Sequence, residues 1–322
     1  MIISASRRTD IPSYYADWFY NRIKEGYVCV RNPMNVHQIS RISLSPDVID
    51  GIVFWTKNPR PMMDRLDLLR DYMYYFQFTI NSYGQDIEAS IPSKNDIIIP
   101  TFRKLSEMIG SERVIWRYDP ILLTEKYSID YHIRYFEEIA KRLSGYTEKC
   151  IISFVDLYRN TKNNTKDLGL LPLETAAMYE IAYRMSEIAL KYGIKMESCA
   201  EKINLEQFGI EHGHCIDCSL FERLLGCRLD LDKDKNQREE CGCMASIDIG
   251  MYNTCKNGCK YCYANYSANT VAKHYAAHNP TSPLISGVIE DEDVVKDRDV
   301  KSCKDSQMNM FRENIICHVS WT

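Results

Sequence analysis

Three cysteines close to residue 260 have a spacing that is typical of a metal-binding loop. Cys255, Cys259 and Cys262 form a C-x3-C-x2-C pattern in which Tyr261 stands between the last two thiols. Three thiolates in one tight loop can hold three irons of an iron-sulfur cubane, and the fourth iron then stays open to an exogenous ligand. A zinc site is the alternative, because C-x2-C knuckles are common in zinc modules, although zinc would need a fourth ligand.

Further cysteines precede this loop in the sequence. The four that we predict to bind a second metal centre, another cubane or a structural zinc, are Cys199, Cys215, Cys241 and Cys243. Four thiolates would leave no coordination position for an exogenous ligand. Such a site suits an auxiliary electron-transfer cluster or a structural centre that holds the surrounding loop in place. The substitutes we consider are Cys218, Cys227 and His214, and a set of unligated thiols is the remaining alternative.

The thirteen cysteines of the 322-residue chain are concentrated in its C-terminal third. Only Cys29 and Cys150 precede residue 195, each inside an apolar run that predicts burial, and we expect Cys303 and Cys317 to be free thiols. The N-terminus has no apolar segment long enough for a signal peptide, so we expect a cytoplasmic protein whose thiols stay reduced. The net charge of -4 gives no general attraction to nucleic acid or to an anionic membrane, so any such binding would have to be local.

The elements that must position these residues alternate between short strands and longer amphipathic helices. Predicted strands cover residues 1–6, 27–31, 51–56, 74–80, 112–117, 149–155, 194–199 and 245–249. Predicted helices cover residues 13–25, 60–71, 100–110, 128–144 and 173–192. Repeated strand-then-helix units predict a parallel α/β sheet, and eight strands fit a complete or partial (β/α) barrel of the TIM type in which the cysteine loop follows the last strand.

Polar and charged residues recur where these predicted strands end. The basic ones are Arg7, Arg8, Arg31, Lys57, Arg117, Arg159 and Lys202, and the acidic ones are Asp10, Asp119, Asp156 and Glu201. In a parallel barrel all these ends open on one face, which is where such barrels carry out chemistry. A face rich in arginine favours an anionic substrate. The alternative is that these charged residues pair with one another and stabilise the loops.

Five of these charged residues are our candidates for catalysis: Arg8, Asp10, Lys57, Arg117 and Asp119. Trp55, Trp116, Tyr118 and Tyr158 stand beside the charges and could stack on a substrate base, although we expect at least two of them in the core. The seven histidines lie mostly elsewhere, which disfavours a metal-dependent hydrolase on the same face.

The predicted organisation has four parts. Residues 1–202 form the barrel strands and helices, residues 203–243 a Cys- and His-containing insertion, residues 244–280 the last strand with the cysteine loop, and residues 281–322 an extended C-terminal tail. The insertion includes a charged, apolar-poor run from Asp230 to Glu240. We therefore expect a metal centre to order the insertion, since core burial alone would not suffice.

The cysteine loop resembles the signature of the radical SAM superfamily, which has C-x3-C-x-aromatic-C spacing. Its segment from Cys259 to Ala264 is similar to the cluster loop of the spore photoproduct lyase group. The whole chain, from the Ser4 to Asp10 segment to the cysteine loop, also resembles a bacterial and archaeal family called domain of unknown function 1848, which carries no established activity. The superfamily usually has this loop after the first strand, whereas here it follows the last. In a closed barrel the last strand lies beside the first, so the loop would occupy its usual place in a circularly permuted chain order.

The resemblance implies that the three cysteines of the loop bind a [4Fe-4S] cluster whose open iron binds S-adenosylmethionine (SAM). Reductive cleavage of SAM, with an electron from a flavodoxin or ferredoxin, would give a 5'-deoxyadenosyl radical that acts on an unidentified, anionic, small or nucleotide-like substrate. The resemblance places Tyr261 near the adenine, and we take Arg7 and Glu201 as further cofactor-binding candidates. The alternative function is a metal-stapled, non-catalytic module that binds nucleic acid or protein.

Overall fold

The computed structural model describes residues 1–305, and this part of the chain forms eleven strands and nine α-helices. The strands are β1 (Ile2–Ala5), β2 (Tyr27–Asn32), β3 (Asn35–Ser43), β4 (Gly51–Thr56), β5 (Tyr74–Thr79), β6 (Val114–Ile121), β7 (Lys149–Phe154), β8 (Lys195–Ser198), β9 (Glu211–His212), β10 (Ile247–Asp248) and β11 (Val294–Asp297). The helices are α1 (Ile11–Tyr14), α2 (Ala16–Glu25), α3 (Arg60–Met63), α4 (Ile99–Ile109), α5 (Ile129–Leu143), α6 (Arg159–Thr165), α7 (Thr175–Lys191), α8 (Cys218–Leu225) and α9 (Ala268–Ala276). Cys317 and the rest of the predicted tail beyond residue 305 lie outside the described residues.

Eight of the strands form one parallel sheet. Their order across it is β10-β1-β4-β5-β6-β7-β8-β9, and every neighbouring pair runs parallel. This parallel α/β sheet was predicted and is confirmed, whereas residues 1–305 show no ladder that would pair β9 with β10 and close a barrel. None of the helices in residues 1–305 is both long and apolar enough to cross a membrane.

The two edges of the main sheet are joined by the loops beside them. The Met244 N–H, just before β10, donates to the Ile216 carbonyl oxygen at 3.1 Å, and Ile216 follows β9. The Ile216 N–H in turn lies 3.4 Å from the Cys243 Sγ. We call this region, residues 214–217 and 241–245, the seam. At the seam, loop contacts take the place of a strand ladder.

One face of the main sheet packs against the helices. Ile3, Phe76 and Trp116 belong to a single apolar cluster that includes Phe136 of α5. The rings of Trp116 and Phe136 stack with their centroids 4.8 Å apart. Trp116 and Tyr118 are fully buried, so two of the four aromatic residues considered for substrate stacking are core residues, as expected.

The opposite face of the main sheet is covered by the insertion. Ile2, Val53 and Tyr75 share a second apolar cluster with Phe221 of α8, which is fully buried. Gly51 makes this contact possible, since a Cβ at that position would lie 2.1 Å from the Phe221 ring. Core burial therefore contributes to the order of the insertion, through Leu220 and Phe221 of α8 and through Ile216 in the preceding loop.

The remaining strands form a small second sheet. β2 and β3 pair antiparallel through a tight turn, and β11 adds parallel to β3. The predicted strand at residues 27–31 is present, but it pairs with the strand that follows it in sequence and not with the main sheet, since a short turn makes the hairpin partner the nearest one. Arg31 lies here and donates to the Asp293 carboxylate at 2.5 and 2.7 Å, so its predicted place on the catalytic face was wrong.

A buried histidine of α5 gives the fold a pH dependence. The His132 Nε2 lies 2.9 Å from the Leu122 carbonyl oxygen, which can only accept, so the Nδ1 accepts from the Tyr118 hydroxyl at 2.8 Å. Burial disfavours the charged ring and lowers the pKa of His132 from 6.5 to about 4. The unfolded chain therefore binds a proton below pH 6.5 that the folded protein takes up only near pH 4.

We expect the free energy of unfolding to fall by about 3 kcal/mol between pH 6.5 and pH 4 through this histidine. A series of urea unfolding curves over that range measures the slope. His132→Asn should flatten the dependence, whereas His212→Asn, at an exposed position of β9, should leave it as in the wild type. An unchanged slope in His132→Asn would show that His132 is not its source.

Candidate metal-binding cavity

A cavity of about 620 Å³ lies at the carboxyl ends of the main-sheet strands. Its lining includes the segment after β1, the end of β4 and the segments after β7 and β8, which are the places where parallel sheets expose reactive side chains. The thiols that border it are Cys199, Cys215, Cys241, Cys243, Cys255, Cys259 and Cys262. Both predicted groups of cysteines therefore face one cavity.

The loop with Cys255, Cys259 and Cys262 lies beside the end of β1. β10 precedes the loop and pairs with β1 in parallel. The Tyr263 hydroxyl donates to the Arg7 carbonyl oxygen at 2.9 Å, which holds the loop against the β1 end. The prediction that this loop lies next to the Ser6 to Asp10 segment is confirmed.

The Asp10 carboxylate is the main anchor of the cysteine loop. It accepts hydrogen bonds from the Ser13 N–H (3.0 Å), the Thr56 hydroxyl (2.7 Å), the Lys57 N–H (2.8 Å) and the Asn257 side-chain amide (2.9 Å). Burial raises the pKa of the Asp10 carboxyl in spite of these donors. Because both oxygens are occupied, Asp10 positions the loop through Asn257 and offers no free oxygen to a substrate.

A second carboxylate, Asp248 of β10, organises the end of β1. It accepts from the Ser4 hydroxyl (3.0 Å), the Ser6 hydroxyl (2.7 Å) and the Arg7 N–H (2.8 Å). We did not predict this role. The sequence did contain an indication of it: Asp248 stands between two isoleucines in a predicted strand. A charged side chain in such a position needs partners from neighbouring strands.

Lys57 reaches the cavity as part of a buried ion-pair network. Its Nζ lies 2.8 Å from the Glu88 carboxylate, which also pairs with Lys94 at 2.6 Å and accepts from the Tyr261 hydroxyl. Burial opposes ionisation of Glu88, but the two ammonium groups outweigh it and bring its pKa to about 2. Burial likewise opposes the charged form of Lys57, yet the Glu88 carboxylate raises the pKa of Lys57 above its usual value. No motif in the sequence indicated Glu88.

Two arginines flank the Trp55 ring in the cavity wall. The guanidinium carbons of Arg7 and Arg117 each lie 5.3 Å from the ring centroid. Arg117 is buried, pairs with the Asp119 carboxylate through Nε at 3.1 Å and donates from Nη1 to the Cys215 Sγ at 2.9 Å. The Arg7 Nη2 is buried and has no hydrogen-bond partner among the described residues. Arg7 can therefore receive an anionic group from the cavity.

Two thiols of the predicted second site lie in direct contact, with the Cys199 and Cys215 Sγ atoms 3.1 Å apart. The Cys243 Sγ accepts from the Ile216 N–H at 3.4 Å. The hydrogen bond with Cys243 lowers the pKa of the Cys241 thiol to about 7. Cys218 points away, with its Sγ 3.9 Å from the Leu229 carbonyl oxygen.

Comparison with known proteins identifies the family of the chain. Residues 2–264 match the family described as Domain of unknown function (DUF1848). The chain belongs to this family. The DUF1848 match takes in the main sheet, the insertion and the cysteine loop, so both groups of thiols lie within it. No curated protein matches the chain.

Three residues that we expected at the cavity lie elsewhere in this DUF1848 chain. The Glu201 carboxylate accepts the Phe154 N–H at 2.8 Å and does not line the cavity, and burial raises the pKa of Glu201 to about 7. Arg159 is exposed at the start of α6, and the Lys202 side chain is 85% exposed. The chain leaves the sheet through Ala200, whose positive φ of 53° turns the following residues away from the strand direction.

Proposed function

We propose that this DUF1848 chain is a radical SAM-type enzyme that cleaves SAM and acts on an anionic substrate. The observation that carries the proposal is that Cys255, Cys259 and Cys262, with C-x3-C-x2-C spacing, all border a cavity of about 620 Å³ at the carboxyl ends of a parallel sheet. A cavity of this volume accommodates a nucleoside-sized ligand. The proposal also includes a flavodoxin or ferredoxin as electron donor.

The residues of the loop fit an iron-sulfur cluster by their chemistry. Three thiols from a single loop supply soft ligands for three irons, and the loop contains no fourth cysteine. Burial raises the pKa of the Cys259 thiol to about 12, and the nearby Lys57 ammonium opposes this rise. When bound, the cluster supplies the electron that splits SAM into methionine and a 5'-deoxyadenosyl radical.

The residues around the loop would position the ligands of this reaction. Asp10 and Asn257 hold the loop against the sheet. Arg7, with a buried nitrogen that has no partner among the described residues, is placed to bind the carboxylate of SAM or an anionic group of the substrate. The Trp55 ring forms an apolar wall that can hold a base or exclude water. Lys57 is paired with Glu88, so it contributes a fixed charge and no mobile proton.

The alternative, a non-catalytic module stapled by metal, has weaker support. Such a module would present its binding groups on an exposed surface, whereas the aromatic and charged groups described above border a cavity. The two functions also differ in metal content. An iron-sulfur protein is brown and absorbs broadly near 400 nm, and a zinc module is colourless.

The test is anaerobic purification followed by iron and sulfide analysis and by incubation with SAM and dithionite. We expect iron and sulfide in equal amounts, with about four of each for every cubane, and release of 5'-deoxyadenosine that requires the reductant. Incubation without dithionite is the control. A colourless protein that contains zinc and releases no 5'-deoxyadenosine would support the stapled module instead.

A further inference from the structure

We propose that Cys199 and Cys215 form a redox pair in the wall of the cavity, which a small-molecule disulfide converts reversibly into an intramolecular disulfide. This inference goes beyond the cleavage of SAM and does not depend on it. The oxidised pair would tie the end of β8 to the seam by a covalent bond. In the reduced protein, noncovalent contacts alone hold residues 200–214 at this edge of the sheet.

The distance between the two sulfur atoms fits a pair of thiols that react with each other. The Cys199 and Cys215 Sγ atoms are 3.1 Å apart, and a disulfide bond is about 2.05 Å long. Two thiolates bound to one tetrahedral zinc ion, at about 2.3 Å each, would lie about 3.8 Å apart. The two sulfurs are therefore closer than two ligands of one metal ion, and about 1 Å of movement brings them to bonding distance.

The backbone around each cysteine is held in place by the main sheet. The Cys199 N–H donates to the Ile152 carbonyl oxygen at 2.9 Å, which continues the pairing of β7 with β8. The Cys215 carbonyl oxygen accepts from the Tyr75 hydroxyl at 2.7 Å and from the Gln77 side-chain amide at 2.9 Å. Formation of the disulfide moves the sulfur atoms and does not require these hydrogen bonds to break.

The two thiols differ in their exposure to the cavity that both of them border. Cys199 is partly exposed, whereas Cys215 is 2% exposed. A small disulfide in the cavity therefore meets Cys199 first, and the Cys199 sulfur attacks one sulfur of the reagent and releases the other as a thiol. The Cys215 sulfur then attacks Cys199 and releases the second thiol. The two protein thiols lose two protons and two electrons, and the reagent takes up both.

A buried cation lies beside the thiol that carries out the second step. The Arg117 Nη1 donates to the Cys215 Sγ at 2.9 Å, and Arg117 is 4% exposed. Thiol-disulfide exchange proceeds through the thiolate, which a guanidinium at this distance stabilises. Arg117 therefore assists the attack of Cys215 on Cys199.

Both thiols are protonated at neutral pH. The hydrogen bond with Cys215 and burial raise the pKa of Cys199 well above its ordinary value. The Cys199 contact and Arg117 lower the pKa of Cys215, but Cys243 and burial outweigh them and raise it to about 11. The reduced pair therefore forms the disulfide slowly. It also lacks the thiolate stabilisation of the reduced form that makes some disulfides strongly oxidising, so the disulfide resists reduction once it has formed.

Neighbouring thiols have other contacts. The Cys243 Sγ accepts from the Ile216 N–H at 3.4 Å, and the Cys218 Sγ lies 3.9 Å from the Leu229 carbonyl oxygen. The geometry therefore selects Cys215 as the partner of Cys199. Cys218, three residues further along the chain, provides a matched control.

The test exposes the full chain to mixtures of oxidised and reduced glutathione, followed by alkylation of free thiols, trypsin digestion and mass spectrometry. Trypsin separates the two cysteines, because it cuts after Lys195, Lys202 and Arg223. At high ratios of oxidised glutathione we expect residues 196–202 to be linked to residues 203–223, and dithiothreitol to break the link. Absence of this link at every ratio, with or without bound metal, would overturn the proposal. A link from Cys199 to residues 239–256 in its place would do the same.

Two single variants identify the partner of Cys199, because residues 203–223 contain both Cys215 and Cys218. Cys215→Ser should abolish the link, whereas Cys218→Ser should retain it. Circular dichroism establishes whether each variant folds. If Cys215→Ser does not fold, fragmentation of the linked wild-type peptide in the mass spectrometer shows which sulfur carries the bond. A link through Cys218 would overturn the proposal.

The rate at which the link forms tests the role of Arg117. At a fixed glutathione ratio, Arg117→Gln should form the link several-fold more slowly, since loss of the guanidinium lowers the fraction of Cys215 that is present as thiolate. Arg103→Gln, at an exposed residue of α4, should leave the rate unchanged. Equal rates in Arg117→Gln and the wild type would overturn the role assigned to Arg117.

Discussion

We expect replacement of Cys255, Cys259 or Cys262 by Ala to abolish the reductive release of 5'-deoxyadenosine. The loop supplies three thiolates and no fourth, so the loss of any one leaves two ligands for the cluster. Loss of an outer-shell partner at a metal site already costs roughly 10–100-fold, and we expect loss of a direct ligand to cost more. The measurement is the rate of 5'-deoxyadenosine formation per chain with SAM and dithionite under anaerobic conditions.

Cys227→Ala provides the matched control for these three variants. Cys227 is a partly buried thiol that does not border the cavity, so its removal should leave both iron content and rate as in the wild type. The iron content of each loop variant is measured on the same samples. If the variant without all three cysteines still formed 5'-deoxyadenosine in the presence of reductant, the assignment of the cluster ligands would be wrong.

The second large effect is expected from Asp10→Ala, which should lower the free energy of unfolding by about 4 kcal/mol. Four donors lose their acceptor at a buried position, and each buried donor without a partner costs roughly 1–3 kcal/mol. One of the four is the Asn257 amide, so the cysteine loop should also retain less iron. Urea unfolding and iron analysis of the anaerobically purified protein measure the two effects.

Two further variants separate the anchoring role of Asp10 from an effect of charge. Asp10→Asn keeps one oxygen for the Ser13 and Thr56 donors, so it should lose about half as much stability. Asp17→Ala removes a carboxylate that is 73% exposed and pairs with Arg65 at the surface, and it should change stability by less than about 0.5 kcal/mol. If the Asp10→Ala variant had the same stability and iron content as the wild type, the loop would be held by other contacts.

The sequence allowed prediction of the parallel sheet and of the position of the cysteine loop. Alternation of short apolar runs with amphipathic helices indicates βα units, and such units place their strands parallel. The run around Ile247 forms the last strand of the main sheet, and it pairs with β1 as expected. That pairing is why a loop more than 240 residues away in the sequence lies beside Arg7 and Asp10.

Several features of the site could not be predicted because they depend on partners that are distant in the sequence. Asp10 was a candidate for catalysis, yet the structure places four donors around it, one of them on the cysteine loop. Glu88 was not considered, although two lysines and Tyr261 converge on it. Residue type indicates that a side chain can react, but only its neighbours decide whether it is already bound.

By itself, the sequence determined that the chain forms a parallel α/β sheet and which thiols belong to one loop, because these properties follow from local periodicity and spacing. Only the tertiary structure decided that β2 pairs with β3 outside the main sheet and that the edges of the main sheet meet at the seam. The physical reason is that periodicity reports the burial of a strand and not the identity of its partner. The partner is set by chain connectivity and by packing of the insertion, in which Phe221 covers the sheet at Gly51.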